Sequence, residues 1–509
     1  MQLDRTKNTK RNIFFGFLNK LIGIGLPFLV RTAIIQILGA QYLGLNSLFT
    51  SILQVLSLTE LGFSNAVVQS MYKPIAENDT NTICALLKYY RFIYRVIGVI
   101  IAVIGLGIMP FLPFLIKNGE HPDDINIYVL YLIYLSNTVI SYLLFAYKKS
   151  ILNALQRTDI ISNLNSVIQM IFCVLQLLVL VLFHNYYWYL FLLPVATIVE
   201  NLWTAWYVHR KYPQYDICKG DLSKECKDEL KTKVKGLMLY KLCGTTRNTF
   251  DSIFISAFLG LTVTAMYSNY FYVVTSLIGI AGVITSSMLA GIGNSMELCT
   301  KEKNYEDMKR IDYIYMLFSG WMAICMFCLY QPFMKLWAGE ELMFSASVAF
   351  LFSLYFYELK MGDIRATYSD AAGLWWENRY RTVIEAVVNI IFNYVLVQIW
   401  GVYGVIIATL ISLFLFGYMA SAFVLFRCYF TEVSVWDYFK NHILYFGVTF
   451  FVGAITYWLC SRIRGGSWMI LIGRGIICCI VPVILYGLIY YKTKRFQDAM
   501  KWMKGIIIR

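Results

Sequence analysis

The chain has 509 residues, 59% of them hydrophobic and only 15% charged, with a mean hydropathy of +0.61. Apolar runs of the roughly 20 residues that a spanning helix needs recur from end to end. That excludes a soluble globular protein, and a transmembrane barrel would show short alternating strands instead. The net charge of +14 gathers in short segments between apolar runs, the distribution of the positive-inside rule, and calls for no nucleic-acid partner.

Along the chain, Arg5, Lys7, Lys10 and Arg11 look like the start of a signal peptide. The apolar stretch that follows is too long, carries Lys20 and Arg31 and lacks a small-residue cleavage site, so it is read as a retained first helix. The predicted fold is an all-α polytopic membrane protein of about fourteen transmembrane helices. Their expected limits are 12–38, 42–71, 86–116, 125–150, 158–183, 186–208, 236–259, 263–295, 309–334, 343–368, 379–400, 402–426, 440–461 and 468–491.

Basic residues assign the sides. Lys73 with Lys88, Lys148 and Lys149 with Arg157, the stretch Arg210 to Lys235, Lys301 to Arg310, Arg379 with Arg381, and Arg427 with Lys440 fall in alternate loops. The opposite loops are nearly charge-free or acidic, as at Glu120, Asp123 and Asp124. Both termini are therefore expected in the cytoplasm. Arg462 and Arg464 depart from the alternation.

An internal repeat organises the spans. Lys20-Leu21-Ile22-Gly23 returns as Lys241-Leu242-Cys243-Gly244, and Leu38-Gly39 as Leu259-Gly260, both 221 residues later. Phe92-Ile93-Tyr94 and Tyr313-Ile314-Tyr315 keep the same offset, while Ile171-Phe172 and Ile391-Phe392 are 220 apart. Six spans and a cytoplasmic link leave both copies in one orientation, which predicts a parallel repeat about an axis along the membrane normal. The expected domains are an N-terminal lobe (1–208), a cytoplasmic linker (209–235), a C-terminal lobe (236–428), and two extra spans with a basic tail (429–509).

Charges inside spans mark the candidate sites, because each costs a few kcal/mol to place there. Lys20, Arg31, Lys241 and Arg247 lie in spans one and seven and are read as anchors for an anionic substrate. Snorkelling of the two lysines to the headgroups is the plainer reading. Asp251, four residues after Arg247, pairs with it or holds a coupling cation. Glu200, Glu358 and Glu385 are the other acids expected to carry a proton or sodium ion, with helix packing as the alternative. Arg95 in span three and Lys360, Asp363 and Arg365 in span ten are also expected to be buried, the span-ten charges alternating in sign so that neighbours neutralise one another. Tyr267, Tyr270 and Tyr272 offer either stacking faces to sugars or packing.

No Walker loop, paired external carboxylates or histidine–cysteine metal spacing is present. Cys325 and Cys328 form a CxxC, but inside an apolar span it is read as packing, and the four histidines lie near loops. No enzyme activity, metal or cofactor is expected beyond coupling H+ or Na+.

The junction Leu38-Gly39-Ala40-Gln41-Tyr42-Leu43-Gly44-Leu45 and the later Glu60-Leu61-Gly62-Phe63 resemble the polysaccharide transport family. Its Wzx-type flippases share a superfamily with multidrug MATE exporters and the lipid II flippase. The resemblance implies a MATE-like fold of two six-helix lobes plus two C-terminal helices, working by alternating access. It implies undecaprenyl-diphosphate-linked oligosaccharide as substrate, flipped across the bacterial cytoplasmic membrane for O-antigen, capsule or exopolysaccharide synthesis. A polysaccharide polymerase and chain-length machinery are the implied protein partners, beside the lipid bilayer. Basic residues in spans one and seven, where Lys20, Arg31, Lys241 and Arg247 stand, are implied to hold the diphosphate, and the last two spans to form a groove for the lipid tail. The alternatives are a MATE-type multidrug or cation antiporter, which would favour an acidic, aromatic cavity, and a membrane polymerase or ligase, which needs a large external loop that this chain lacks.

Overall fold

A computed structural model describes residues 5–57, 63–215, 222, 228, 247, 249–463 and 465–507. The described residues fold as helices: α1 (Arg5–Ile37), α2 (Ala40–Leu56), α3 (Phe63–Ala76), α4 (Thr80–Ile108), α5 (Ile127–Leu143), α6 (Lys149–Ala154), α7 (Thr158–Phe183), α8 (Tyr186–Lys211), α9 (Thr249–Leu259), α10 (Leu261–Leu298), α11 (Lys301–Ala338), α12 (Ala346–Met361), α13 (Asp363–Ala371), α14 (Arg379–Trp400) and α15 (Val402–Ser412). A π-helical segment (Leu413–Ala420) then leads into α16 (Ser421–Cys428), followed by α17 (Val435–Arg462), α18 (Trp468–Tyr490) and α19 (Lys494–Ile507). Ten described helices are long and apolar enough to cross a bilayer, or eleven if the pair Ile127–Leu143 and Ala146–Ala154, bent by 49°, counts as one span. The three remaining expected spans are 42–71, parted between α2 and α3; 236–259, of which α9 is the main described part; and 343–368, interrupted at Gly362. Fourteen is thus not reached among the described residues.

Lipid inverts the usual rule for surfaces. Ile472, Ile476, Ile480, Ile484 and Leu488 recur every four residues along α18, and all are exposed. In water such a stripe would be a liability. In a bilayer it faces hydrocarbon, and the backbone polar groups are satisfied inside the helix.

The chain divides into two compact units, residues 1–265 and 266–509. In the first, α1 packs on α7, α7 on α8, α8 on α5, and α5 on α4. Ser47 and Ser252 approach to 3.4 Å, and Thr249 donates to Gln54 at 3.4 Å, tying α9 to α2. In the second, α11 is the hub that holds α12, α17 and α18. His442 and Asp312 meet there at 2.7 Å, both buried, so this histidine is an interior group and not the loop neighbour expected. Arg95 departs from expectation in the opposite sense: it is exposed on α4.

The repeat is visible in backbone detail. Gly39, between α1 and α2, has φ 115°, and Gly260, between α9 and α10, has φ 95°. The Gly39 amide donates to Ile34 O at 3.0 Å and the Gly260 amide to Ile255 O at 3.1 Å, again 221 residues apart. The starts of α4 and α11, Thr80 and Lys301, keep this offset, as do their side-chain N-caps Asp79 and Thr300. Each cap accepts an amide hydrogen from the residue three positions on, satisfying one of the donors a helix start leaves open. Thr158 and Arg379, which begin α7 and α14, keep it as well.

Candidate functional site

Each unit holds a polar cluster between its helices, built by its interrupted fourth span. In the first, the chain turns between α5 and α6, where Phe145 adopts a left-handed φ of 51°. That break delivers Lys149, whose Nζ lies 2.5 Å from Glu200 Oε1 on α8. The pair lines a cavity of about 360 Å³ with Ser64, Tyr94, Ser141, Asn153 and Asn201. Thr197, also on its wall, donates to Asn137 at 2.7 Å, and Tyr90 donates to Tyr94 at 2.7 Å. A carboxylate among hydroxyls and amides can take a proton, or a cation in exchange for the lysine.

The second unit repeats the theme with other residues. Tyr315, the counterpart of Tyr94 in the repeat, donates to Asp363 at 2.5 Å, and Lys360 reaches the same carboxylate oxygen at 2.5 Å. Beside this group, the π segment widens the helical turn, a deformation often found at functional sites. Its carbonyls accept from two arginines: Arg365 Nη2 reaches Gly417 O at 3.0 Å, and Arg381 Nη1 reaches Phe416 O at 3.1 Å. Arg365 also donates to Ser421, and Arg381 to Glu385 at 2.8 Å. Asn389 donates to Thr409 and Ser412, each at 3.2 Å. These charges and amides hold α14 to the helix that the π segment deforms.

The expected diphosphate anchors are placed as follows. Lys20 is exposed on α1. Arg31 is half-buried on the same helix, within electrostatic reach of Tyr186 and Tyr189 on α8. The two lie eleven residues apart, which at 3.6 residues per turn returns them to within about 20° of one face, about 16 Å apart along the axis. Arg247 and Asp251 are both buried in the first unit. Lys241 lies outside the described residues. Of the acids, Glu200 and Glu385 have the lysine and arginine partners given above, and Glu358 is buried in α12. Tyr267 and Tyr270 are packing residues, their rings 5.4 and 5.8 Å from Phe352; neither is a free stacking face.

Lys149, Asn201, Arg381 and Asn389 were not singled out as site residues from sequence. Lys149 and Arg381 served there only as markers of the cytoplasmic side, and neutral amides in apolar spans carry no charge signal. The one available clue was spacing, since Arg381 precedes Glu385 by one helical turn.

A family model described as "Polysaccharide biosynthesis protein" matches residues 9–289. No curated protein matches the sequence at a significant level. Among solved structures, the lipid II flippase MurJ in an inward closed conformation is similar with a TM-score of 0.68 at 13% identity, covering 94% of this chain and 98% of that one. An inward-facing multidrug resistance MATE family transporter of the MOP superfamily gives 0.58 at 15%, covering 79% and 95%. A point mutant of the Vibrio cholerae MATE transporter VcmN gives 0.55 at 15%, covering 85% and 99%. At such identities the likeness establishes the fold, which is MATE-like.

Proposed function

The chain belongs to the polysaccharide biosynthesis protein family, and we propose that it flips undecaprenyl-diphosphate-linked oligosaccharide units from the inner to the outer leaflet of the bacterial cytoplasmic membrane. The family match, the fold and the apolar helices support a multi-pass membrane transporter of the flippase kind. The observation that carries the anionic substrate is Arg31: a permanent cation, half-buried in the first helix beside two tyrosines. Guanidinium offers a planar donor fork suited to phosphate oxygens. In a low-dielectric site the pairing is several times stronger than in water. Arg247, buried in the same unit, is assigned the same role, and Lys20 an entry role on the face it shares with Arg31. Net movement needs a substrate or ion that binds the two access states unequally. Glu200 in its polar cavity is the coupling group this reading favours. The termini are assigned to the cytoplasm, and the polymerase and chain-length machinery are the proposed recipients of the flipped unit.

The test uses purified full-length protein in vesicles with a fluorescent undecaprenyl-diphosphate oligosaccharide whose exposed label can be quenched from outside. The expected outcome is time-dependent loss of protection, at least tenfold slower for Arg31→Ala and partly restored by Arg31→Lys. Wild-type rates in Arg31→Ala and Arg247→Ala alike would remove the diphosphate role. Extrusion of organic cations, with no movement of the lipid, would establish the antiporter instead.

A further inference from the structure

Three thiols from three helices converge in the second unit. Cys328 of α11, Cys460 of α17 and Cys478 of α18 are all buried, and their sulfurs lie within 4.8 Å of one another. Cys460 Sγ and Cys478 Sγ are 3.7 Å apart. Packing alone does not require this, since these positions are 132 and 18 residues apart in sequence. We propose that the three cysteines form a binding site for a soft monovalent metal ion, Cu(I).

The geometry matches a metal better than it matches a cystine. Thiolate bonds to a d10 ion are about 2.3 Å long, so sulfurs around one ion stand roughly 3.8–4.0 Å apart. A disulfide would need about 2.05 Å. Sulfur-only donor sets select Cu(I) among the common cellular ions, together with zinc and iron–sulfur clusters. Zinc in closed sites is four-coordinate, and the neighbouring oxygens here are engaged. Cys478 O accepts from Trp321 Nε1 at 2.9 Å, and Ile463 O accepts from Arg474 Nη2 at 2.6 Å. Three-coordinate Cu(I) needs no fourth ligand.

Charge and access also fit. Cu(I) enters as Cu(I), and three thiol protons leave to solvent as the thiolates bind it; no electron is transferred. The resulting net charge of the site, −2, is partly offset by the Arg474 guanidinium, which acts electrostatically on Cys460. Cys328 and Arg474 both line an apolar cavity of about 890 Å³ between α11, α12, α17 and α18, which supplies the entry path a buried metal site requires. A bound ion would join α17 and α18 to the α11 hub.

The test is anaerobic titration of the purified full chain with Cu(I) held by a chromophoric competitor. The expected result is one Cu(I) per chain, weakened at least tenfold by each of Cys328→Ser, Cys460→Ser and Cys478→Ser, and unchanged by Cys299→Ser at an exposed position. X-ray absorption on the wild-type protein, which does not depend on the variants folding, should show three sulfur neighbours at about 2.3 Å. Binding no stronger than in the triple serine variant, two or fewer sulfur neighbours, or zinc bound in preference would each overturn the proposal. So would a Cys460–Cys478 disulfide in the isolated chain, seen as a mass lower by two hydrogens.

Discussion

Glu200 is where a single residue carries the most mechanistic content. Its partner Lys149 is on a different helix, and both are partly open to the polar cavity, so the ion pair contributes little to stability and can be exchanged for a proton or cation. Glu200→Gln keeps the shape but cannot carry a charge. Gradient-driven flipping by this variant should fall about tenfold, with protein yield and exchange without a gradient preserved. An unchanged rate would assign coupling elsewhere, with Glu358, Glu385 and Asp251 next in line. Glu200 was legible in the sequence because a lone acid in an apolar span is costly. Lys149 was not, because a basic residue beside a predicted helix end reads as a loop marker until the break between α5 and α6 turns it inward. Arg95 misled for a related reason: a long side chain on a span can reach the surface.

At the scale of elements, the glycine junctions decide how consecutive helices meet. Gly39 has φ 115° and ψ 167°, a region open essentially to glycine alone, where other residues cost about 1–3 kcal/mol. Gly39→Ala should lower the unfolding midpoint of the detergent-solubilised protein by several degrees, whereas alanine at Gly107, which has open space around it inside helical backbone, should not. Equal midpoints would mean that the junction relaxes without strain. Sequence alone paired Leu38-Gly39 with Leu259-Gly260 and thereby located both junctions. The interruption at Gly362 and the π segment escaped it. Hydropathy averages over a window and cannot register one residue of backbone deviation, and what stabilises the π carbonyls is a pair of arginines, Arg365 from α13 and Arg381 from α14.

For the whole molecule, the orientation of the chain in the membrane rests on the basic loops. Cys299, after α10, and Cys428, at the end of α16, are exposed and stand on the side assigned to the cytoplasm. A membrane-impermeant maleimide should label both in inside-out vesicles and neither in intact cells. Labelling from outside would invert the topology and, with it, the direction assigned to transport. The sequence by itself determined the class of protein, the position of most spans and the 221-residue internal repeat, because hydrophobic length and recurring junction residues are local properties written into the chain. Only the tertiary structure decided which distant groups meet: Lys149 with Glu200, His442 with Asp312, and three cysteines with one another; Lys360 and Asp363, three residues apart, pair as the alternating charges of that span led one to expect. The long-range pairings depend on how distant helices pack, and helix packing in lipid is set by the fit of small and polar groups between neighbours, which periodicity along one chain cannot reveal.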